Sequence, residues 1–135
     1  MNNYGKSAIR AVELIQSGEV PYTEDAWKKA TTEFFTIKTK ACPRSAFLGL
    51  CEAGLIKGVH QIHIKQPLKN TINKDHAIEA VQLLTENEDY ASYKSLQLWR
   101  IIMLGNQKSH NFQMDVVLAL WNNGMISPAK TYIMA

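Results

Sequence analysis

The chain repeats itself. Ala8-Ile9-Arg10-Ala11-Val12-Glu13-Leu14-Ile15 and Ala77-Ile78-Glu79-Ala80-Val81-Gln82-Leu83-Leu84 are identical at five of eight positions, 69 residues apart. Leu48-Gly49-Leu50-Cys51-Glu52-Ala53-Gly54-Leu55-Ile56 matches Leu118-Ala119-Leu120-Trp121-Asn122-Asn123-Gly124-Met125-Ile126 at four of nine, 70 residues apart. Between them Trp27-Lys28 pairs with Trp99-Arg100 at an offset of 72. The bland alternative is that amphipathic helices share an alphabet of Ala, Leu and Ile. That accounts for one match better than for three collinear ones that include Trp and Gly. The reading that follows is a duplication: two three-helix units, residues 4–56 and 73–126, joined by a connector over 57–72. Each unit alone is too small to bury its apolar face well. Packed together about a pseudo-twofold axis they make one core, with the third and sixth helices as symmetry mates.

Apolar spacing supplies the helices. Ala8, Ala11, Val12 and Ile15 form one stripe, closed by Gly18 in the left-handed position that ends helices. Thr23 reads as the N-cap of a second helix, with Glu24 and Asp25 in its first turn and Trp27, Ala30, Phe34 and Ile37 inward. Cys42-Pro43 opens a third, with Phe47, Leu48 and Cys51 inward. Residues 55–72 carry no helical period; Val59, Ile62 and Ile64 suggest a short extended piece, broken at Pro67. Such a length is unusual for a compact domain unless it connects or functions. Asn73 reads as the N-cap of a fourth helix with Ala77, Ala80, Val81 and Leu84 inward. A fifth is expected over Ser92 to Leu104, with Leu96, Trp99, Ile102 and Met103 inward. A sixth is expected over Asn111 to Asn123, with Met114, Val117, Leu118 and Trp121 inward. The tail from Ser127, which contains Pro128, is expected to pack weakly. The expected fold is a single all-α domain of six helices, residues 1–135.

Composition narrows the class. In 135 residues, 46% are hydrophobic and 20% charged, which is globular rather than disordered. Cys42 and Cys51 are too few for a disulfide framework and read as reduced thiols. No apolar run reaches membrane-spanning length and the first residues lack a signal-peptide core. The expectation is a cytoplasmic protein away from membranes.

The net charge of +3 is localised: residues 36–75 carry seven basic side chains against two acidic ones, and each flank is net −1. A surface for nucleic acid is one reading of that excess. The other is a loop kept soluble by lysine, favoured because no aromatic residue is interleaved for base stacking. Nor does the third helix offer polar side chains for base edges.

Cys42 lies at a helix start beside Lys40 and Arg44, and the positive end of a helix with neighbouring cations favours a nucleophilic sulfur. His110 lies at the corresponding start of the sixth helix. Were the two starts neighbours, Cys42, His110 and Asn111 or Asp115 would have the types of a nucleophile, base and orienter. The plainer reading is capping, since Asn111 and Asp115 suit a first helical turn. His60 and His63 fall on opposite faces of an extended segment, so no metal site is expected there. No glycine-rich phosphate loop or paired-carboxylate signature occurs, and no cofactor is expected.

Three segments carry a resemblance: Tyr4-Gly5-Lys6-Ser7-Ala8-Ile9-Arg10-Ala11-Val12-Glu13-Leu14, the run from Cys42-Pro43-Arg44 to Gly54-Leu55, and His110-Asn111-Phe112-Gln113-Met114-Asp115 through Trp121. Together they resemble a family of small bacterial proteins known only as a domain of unknown function. That resemblance implies a stand-alone bacterial protein and brings no activity, cofactor or catalytic residue. Small orphan proteins of this sort also resemble the cargo of mobile gene cassettes.

The leading functional expectation is a non-enzymatic binding protein. Its site would be a polar groove where the starts of the third and sixth helices meet, drawing on Lys40, Cys42, Arg44, His110, Asn111 and Asp115, with Lys38 and Lys108 nearby. Free backbone N–H groups at helix starts favour an anion, so the ligand would be a small anion or an acidic partner segment, and a second copy of the chain is a further candidate partner. The alternatives are a small enzyme or thiol sensor using Cys42 with His110, and weak nucleic-acid binding through residues 36–75.

Overall fold

A computed structural model of the chain describes residues 1–106 and 108–127. Among them the order is α1 (Asn3–Gln16), α2 (Thr23–Phe34), α3 (Ala41–Glu52), α4 (Ile72–Glu86), α5 (Ser95–Met103) and α6 (Gln113–Asn122). Short 3-10 turns at Gln61–His63 and Glu88–Ser92 interrupt the connections. The architecture is a single all-α domain; the one β feature among the described residues is an isolated antiparallel bridge between Ile56 and Ile126.

α1 and α4 bury in full the stripes their spacing dictates. Ala8, Ala11, Val12 and Ile15 of α1 are buried, as are Ala77, Ala80, Val81 and Leu84 of α4. In α6, Met114, Val116, Val117 and Leu120 are shut from solvent, because α1, α3, α4 and α5 all lie against this helix. α2 covers α1 and touches α3, and its Trp27 stacks on Phe47 at 5.1 Å.

Two contacts hold α3 and α6 in register. Each ends with a glycine at positive φ, Gly54 at 75° and Gly124 at 70°. Their N–H groups donate to Cys51 and Trp121 carbonyls, and the next residues, Leu55 and Met125, donate to Leu50 and Leu120. This is the paired-bond ending that a left-handed glycine permits. The chains then run antiparallel for one residue: Lys57 N–H donates to the Met125 carbonyl at 2.9 Å, and Ser127 N–H to the Leu55 carbonyl at 2.8 Å.

The helix crossings are equally close. A Cβ on Gly49 of α3 would lie 2.7 Å from Cα of Lys74 on α4. A Cβ on Gly5 of α1 would lie 2.9 Å from Cβ of Ala119 on α6. The backbones approach so nearly that only a glycine on one side of each crossing fits.

The connector is pinned by carboxylates. Glu52 accepts Leu68 N–H at 2.8 Å and Lys74 Nζ at 3.1 Å. Glu24 accepts the N–H groups of Lys65 and Gln66, and Lys65 Nζ reaches Asp25 at 2.7 Å. Burial raises the Glu24 carboxyl, but the backbone N–H bonds outweigh it and hold the group below its ordinary value.

Several expectations need correction. Trp121 is half-buried rather than buried, because the last turn of α6 is already leaving the core and Asn122 to Gly124 are exposed. Leu96 is 45% exposed: α5 starts at Ser95, so the inward stripe begins at Leu98. Ile37, 76% exposed, lies beyond the end of α2. Thr23 is the first residue of α2 and not its cap; its hydroxyl donates to Glu24. Asn73 lies inside α4, where Asn70 Oδ1 accepts the Ile72 N–H at 3.0 Å. α6 begins at Gln113, two residues late, because Phe112 takes φ 68° to stack its ring on Tyr4 at 5.0 Å. The connector holds a 3-10 turn and no extended pairing beyond Ile56, and Ile62 is exposed. The tail beyond Ser127 falls outside the described residues.

The crossings generate the first prediction. Gly→Ala inside a helix ordinarily stabilises by up to about 1 kcal/mol. At Gly49 the added methyl meets Lys74 backbone, and overpacking of this kind costs about 1–3 kcal/mol. Gly49→Ala is expected to lower the urea midpoint; an unchanged or raised midpoint would mean the crossing is looser than described.

Candidate functional site

The approaches to α3 and α6 meet. Lys40, which caps α3, donates through Nζ to Asn111 Oδ1 at 3.2 Å, and its ammonium lies 5.6 Å from the Phe112 ring centroid. Its own N–H donates to the Tyr4 hydroxyl at 2.9 Å. Next to this junction is an open cleft of ≈ 340 Å³ between α3, α4 and the segment leading into α6. Its lining mixes polar side chains, among them Asn73, Lys108, Asn111 and Gln113, with the less polar Cys42, Ile72, His76 and Trp99; the Trp99 indole N–H donates to the Lys108 carbonyl at 3.0 Å. No carboxylate lines it.

The lining amides form a directed relay. Lys40 Nζ can only donate, so Asn111 must present its oxygen to it. The Asn111 backbone N–H can only donate, and it does so to Gln113 Oε1 at 2.6 Å. Gln113 therefore has its nitrogen free to donate, and it does so to Asn73 Oδ1 at 3.0 Å. Gln113 is only 3% exposed, so it is locked in this orientation. The consequence is electrostatic. Each of the three amide oxygens accepts one bond, and Asn73 Nδ2, Asn111 Nδ2 and one Gln113 N–H remain as donors in a cleft that Lys108 also lines.

The other sequence candidates lie elsewhere. Arg44 is exposed on the outer side of α3 and does not line the cleft. His110 lines an adjoining depression that shares Trp99, Lys108 and Ser109 with the cleft, and its ring lies 5.3 Å from that of Trp99. Its Nε2 accepts the Met114 N–H at 3.1 Å, capping α6, so this nitrogen carries no proton. Burial holds His110 below the ordinary imidazole range against the pull of Asp115, and the 4.0 Å approach of Asp115 is not an ion pair in that state. Asp115 lines a third groove with Asn2, Tyr93 and Asn122. Cys42 thus shares its cleft with Asn111 and with His76, not with His110.

Sequence reasoning missed Asn73, His76 and Gln113 as site residues. Asn73 was legible only as a cap, and nothing local connects it to a residue 40 positions on. His60 and His63 sit on the 3-10 turn with ring centroids 5.8 Å apart, rather than on opposite faces of a strand, and His63 Nδ1 accepts His60 N–H. No group of three or more metal-ligating side chains occurs among the described residues. Cys51 is fully buried, and desolvation pushes its thiol far up, which makes it inert. No helix among the described residues is long and apolar enough to cross a membrane.

A pH dependence follows. His76 is also held low, by burial first and then by Lys108, against Glu79 and Asp75. Above pH ~6.5 both histidines are neutral folded or unfolded. As pH falls below that, the unfolded chain binds protons the folded chain refuses, so stability drops. The urea midpoint is expected to decline from pH 7.5 to 5.5, and His76→Gln with His110→Gln together to flatten that decline. An equally steep decline in the double variant would contradict the assignment.

Comparison with known proteins adds a family and nothing more specific. No curated protein and no solved structure matches the chain. A match does extend over residues 1–127, nearly the whole chain and every element described above. By it the protein belongs to a family of unknown function, DUF6979.

Proposed function

We propose that the protein is a non-enzymatic binding protein, built by internal duplication, whose cleft beside the joined approaches of α3 and α6 receives an anionic group. The observation that carries the reading is the amide relay. It engages the side-chain oxygens of Asn73, Asn111 and Gln113, leaves an N–H of each outside the relay, and shares the cleft with Lys108, with no carboxylate among the lining residues. Neutral donors held by hydrogen bonds of their own amides are pre-organised for an acceptor and lose little on binding it. Of the residues expected from the sequence, Lys40, Cys42 and Asn111 belong to this reading, Lys40 as the anchor of the relay. Arg44, His110 and Asp115 stand outside it.

The duplication is supported by contacts that map onto one another. The bond from Lys57 to Met125 has its mate in that from Ser127 to Leu55, each residue shifted by 70. The crossing of Gly5 with Ala119 has its mate in that of Lys74 with Gly49, shifted by 69 and 70. α1 packs on α6 as α4 packs on α3.

The test is a titration followed through side-chain amide resonances. Acetate, inorganic phosphate and a glutamate-rich peptide are added in turn to the protein and to Asn111→Asp, which keeps the acceptor for Lys40 but replaces a donor with a charge. At least one titrant is expected to move the Asn73, Asn111 and Gln113 side-chain signals in the protein and none in the variant. Unmoved signals with all three titrants, or unaltered binding by Asn111→Asp, would overturn the reading.

A further inference from the structure

The cleft is lined by polar and apolar side chains, and together they specify more than an anion. We propose that its ligand is a small monocarboxylic acid with a planar, ring-sized apolar body, such as an arylcarboxylate; this rests on the reading of the cleft as an anion site.

Charge argues for a single negative charge. Lys108 is the one cation among the lining residues and the other donors are neutral amides. Phosphate sites ordinarily gather several cations, bidentate arginine or a nest of backbone N–H groups. Size argues for a small ligand, since ≈ 340 Å³ lies at the lower end of ligand pockets. The less polar lining residues argue for an apolar body. Ile72, 47% exposed, and Cys42 line the cleft together with the rings of His76 and Trp99, which meet edge to face at 5.1 Å. A ligand bearing only a carboxylate would leave these side chains wet.

The matched place on the other side of the proposed axis has an occupant. The residue 69 positions before Asn73 is Tyr4, and the residue 70 positions after Cys42 is Phe112. Tyr4 and Phe112 stack at 5.0 Å, Phe35 closes on the same phenol at 4.6 Å, and the phenol oxygen accepts Lys40 N–H. One of the two places between the units is therefore filled by a planar ring that carries an acceptor oxygen at its edge. At the other, Asn73 and Cys42 stand in the positions of the two rings and border the open cleft.

The experiment compares benzoate, acetate and inorganic phosphate by calorimetry, with the Asn73 and Asn111 side-chain amides and the Trp99 indole followed by NMR. Benzoate is expected to bind at least about tenfold more tightly than acetate or phosphate and to move all three signals. Ile72→Ser is expected to weaken benzoate binding and so reduce that preference. Asn73→Tyr, which supplies the ring from the chain itself, is expected to abolish benzoate binding. Equal binding of acetate and benzoate would overturn the arylcarboxylate inference and leave the anion reading standing, and so would tighter binding of phosphate. Failure of all three ions to bind would overturn this inference, and the anion reading would then rest on the acidic peptide alone.

Discussion

Everything in this fold hangs on the two backbone hydrogen bonds exchanged across Ile56 and Ile126. They tie the ends of α3 and α6 together, and those helices contribute buried residues from Ala46 to Cys51 and from Met114 to Leu120 to the core. Backbone amides demand partners, and beyond the bonds each chain makes back to its own helix, Lys57 and Ser127 find theirs on the other. The geometry requires each helix to stop with a left-handed residue, which Gly54 and Gly124 provide without the roughly 1–2 kcal/mol that a Cβ costs there. With the two ends joined, the opposite ends of α3 and α6 are fixed as well. The Lys40–Asn111 bond and the cleft sit beside those opposite ends.

The proposed duplication makes the differences between halves the informative part. Where the halves agree, they build the core: two matched stripes, two helix endings, two close crossings. Where they differ, one of the two matched places between the halves is packed and the other is open. Tyr4, Phe35 and Phe112 form a closed aromatic cluster at one approach. At the other, Asn73 and Cys42 border the cleft, and the amides of Asn73, Asn111 and Gln113 are held by one another. The lysine-rich middle of the chain also takes on a structural meaning, since Lys65 and Lys74 hold the connector against Asp25 and Glu52. The cations nearest the cleft are Lys40 and Lys108.

The fold was largely legible because helices announce themselves locally. The stripes of α1 and α4 and the glycines after α1, α3 and α6 follow from spacing and backbone sterics alone. The failures were tertiary. Nothing within the sequence of α5 says that a 3-10 turn at Glu88–Ser92 delays its start and turns Leu96 outward. Phe112 ends up at positive φ because of a ring on α1, far away in the chain. The meeting of Lys40 with Asn111 was legible in outline, since it required only that α3 and α6 be neighbours. His110 misled because a histidine before a helix suggests chemistry, whereas its ring nitrogen caps the helix it precedes. Asn73 and Gln113 escaped notice because amides carry no signature until their partners are known.

The most direct measurement is a double-mutant cycle on Gly54→Ala and Gly124→Ala, read by urea unfolding. If the two helix ends stand only by supporting each other, either substitution alone loosens the shared junction. The pair should then cost less than the sum of the singles, with a coupling of at least about 0.5 kcal/mol. Strictly additive losses would mean that the two ends are independent caps, and the junction would no longer explain why the opposite ends of α3 and α6 meet.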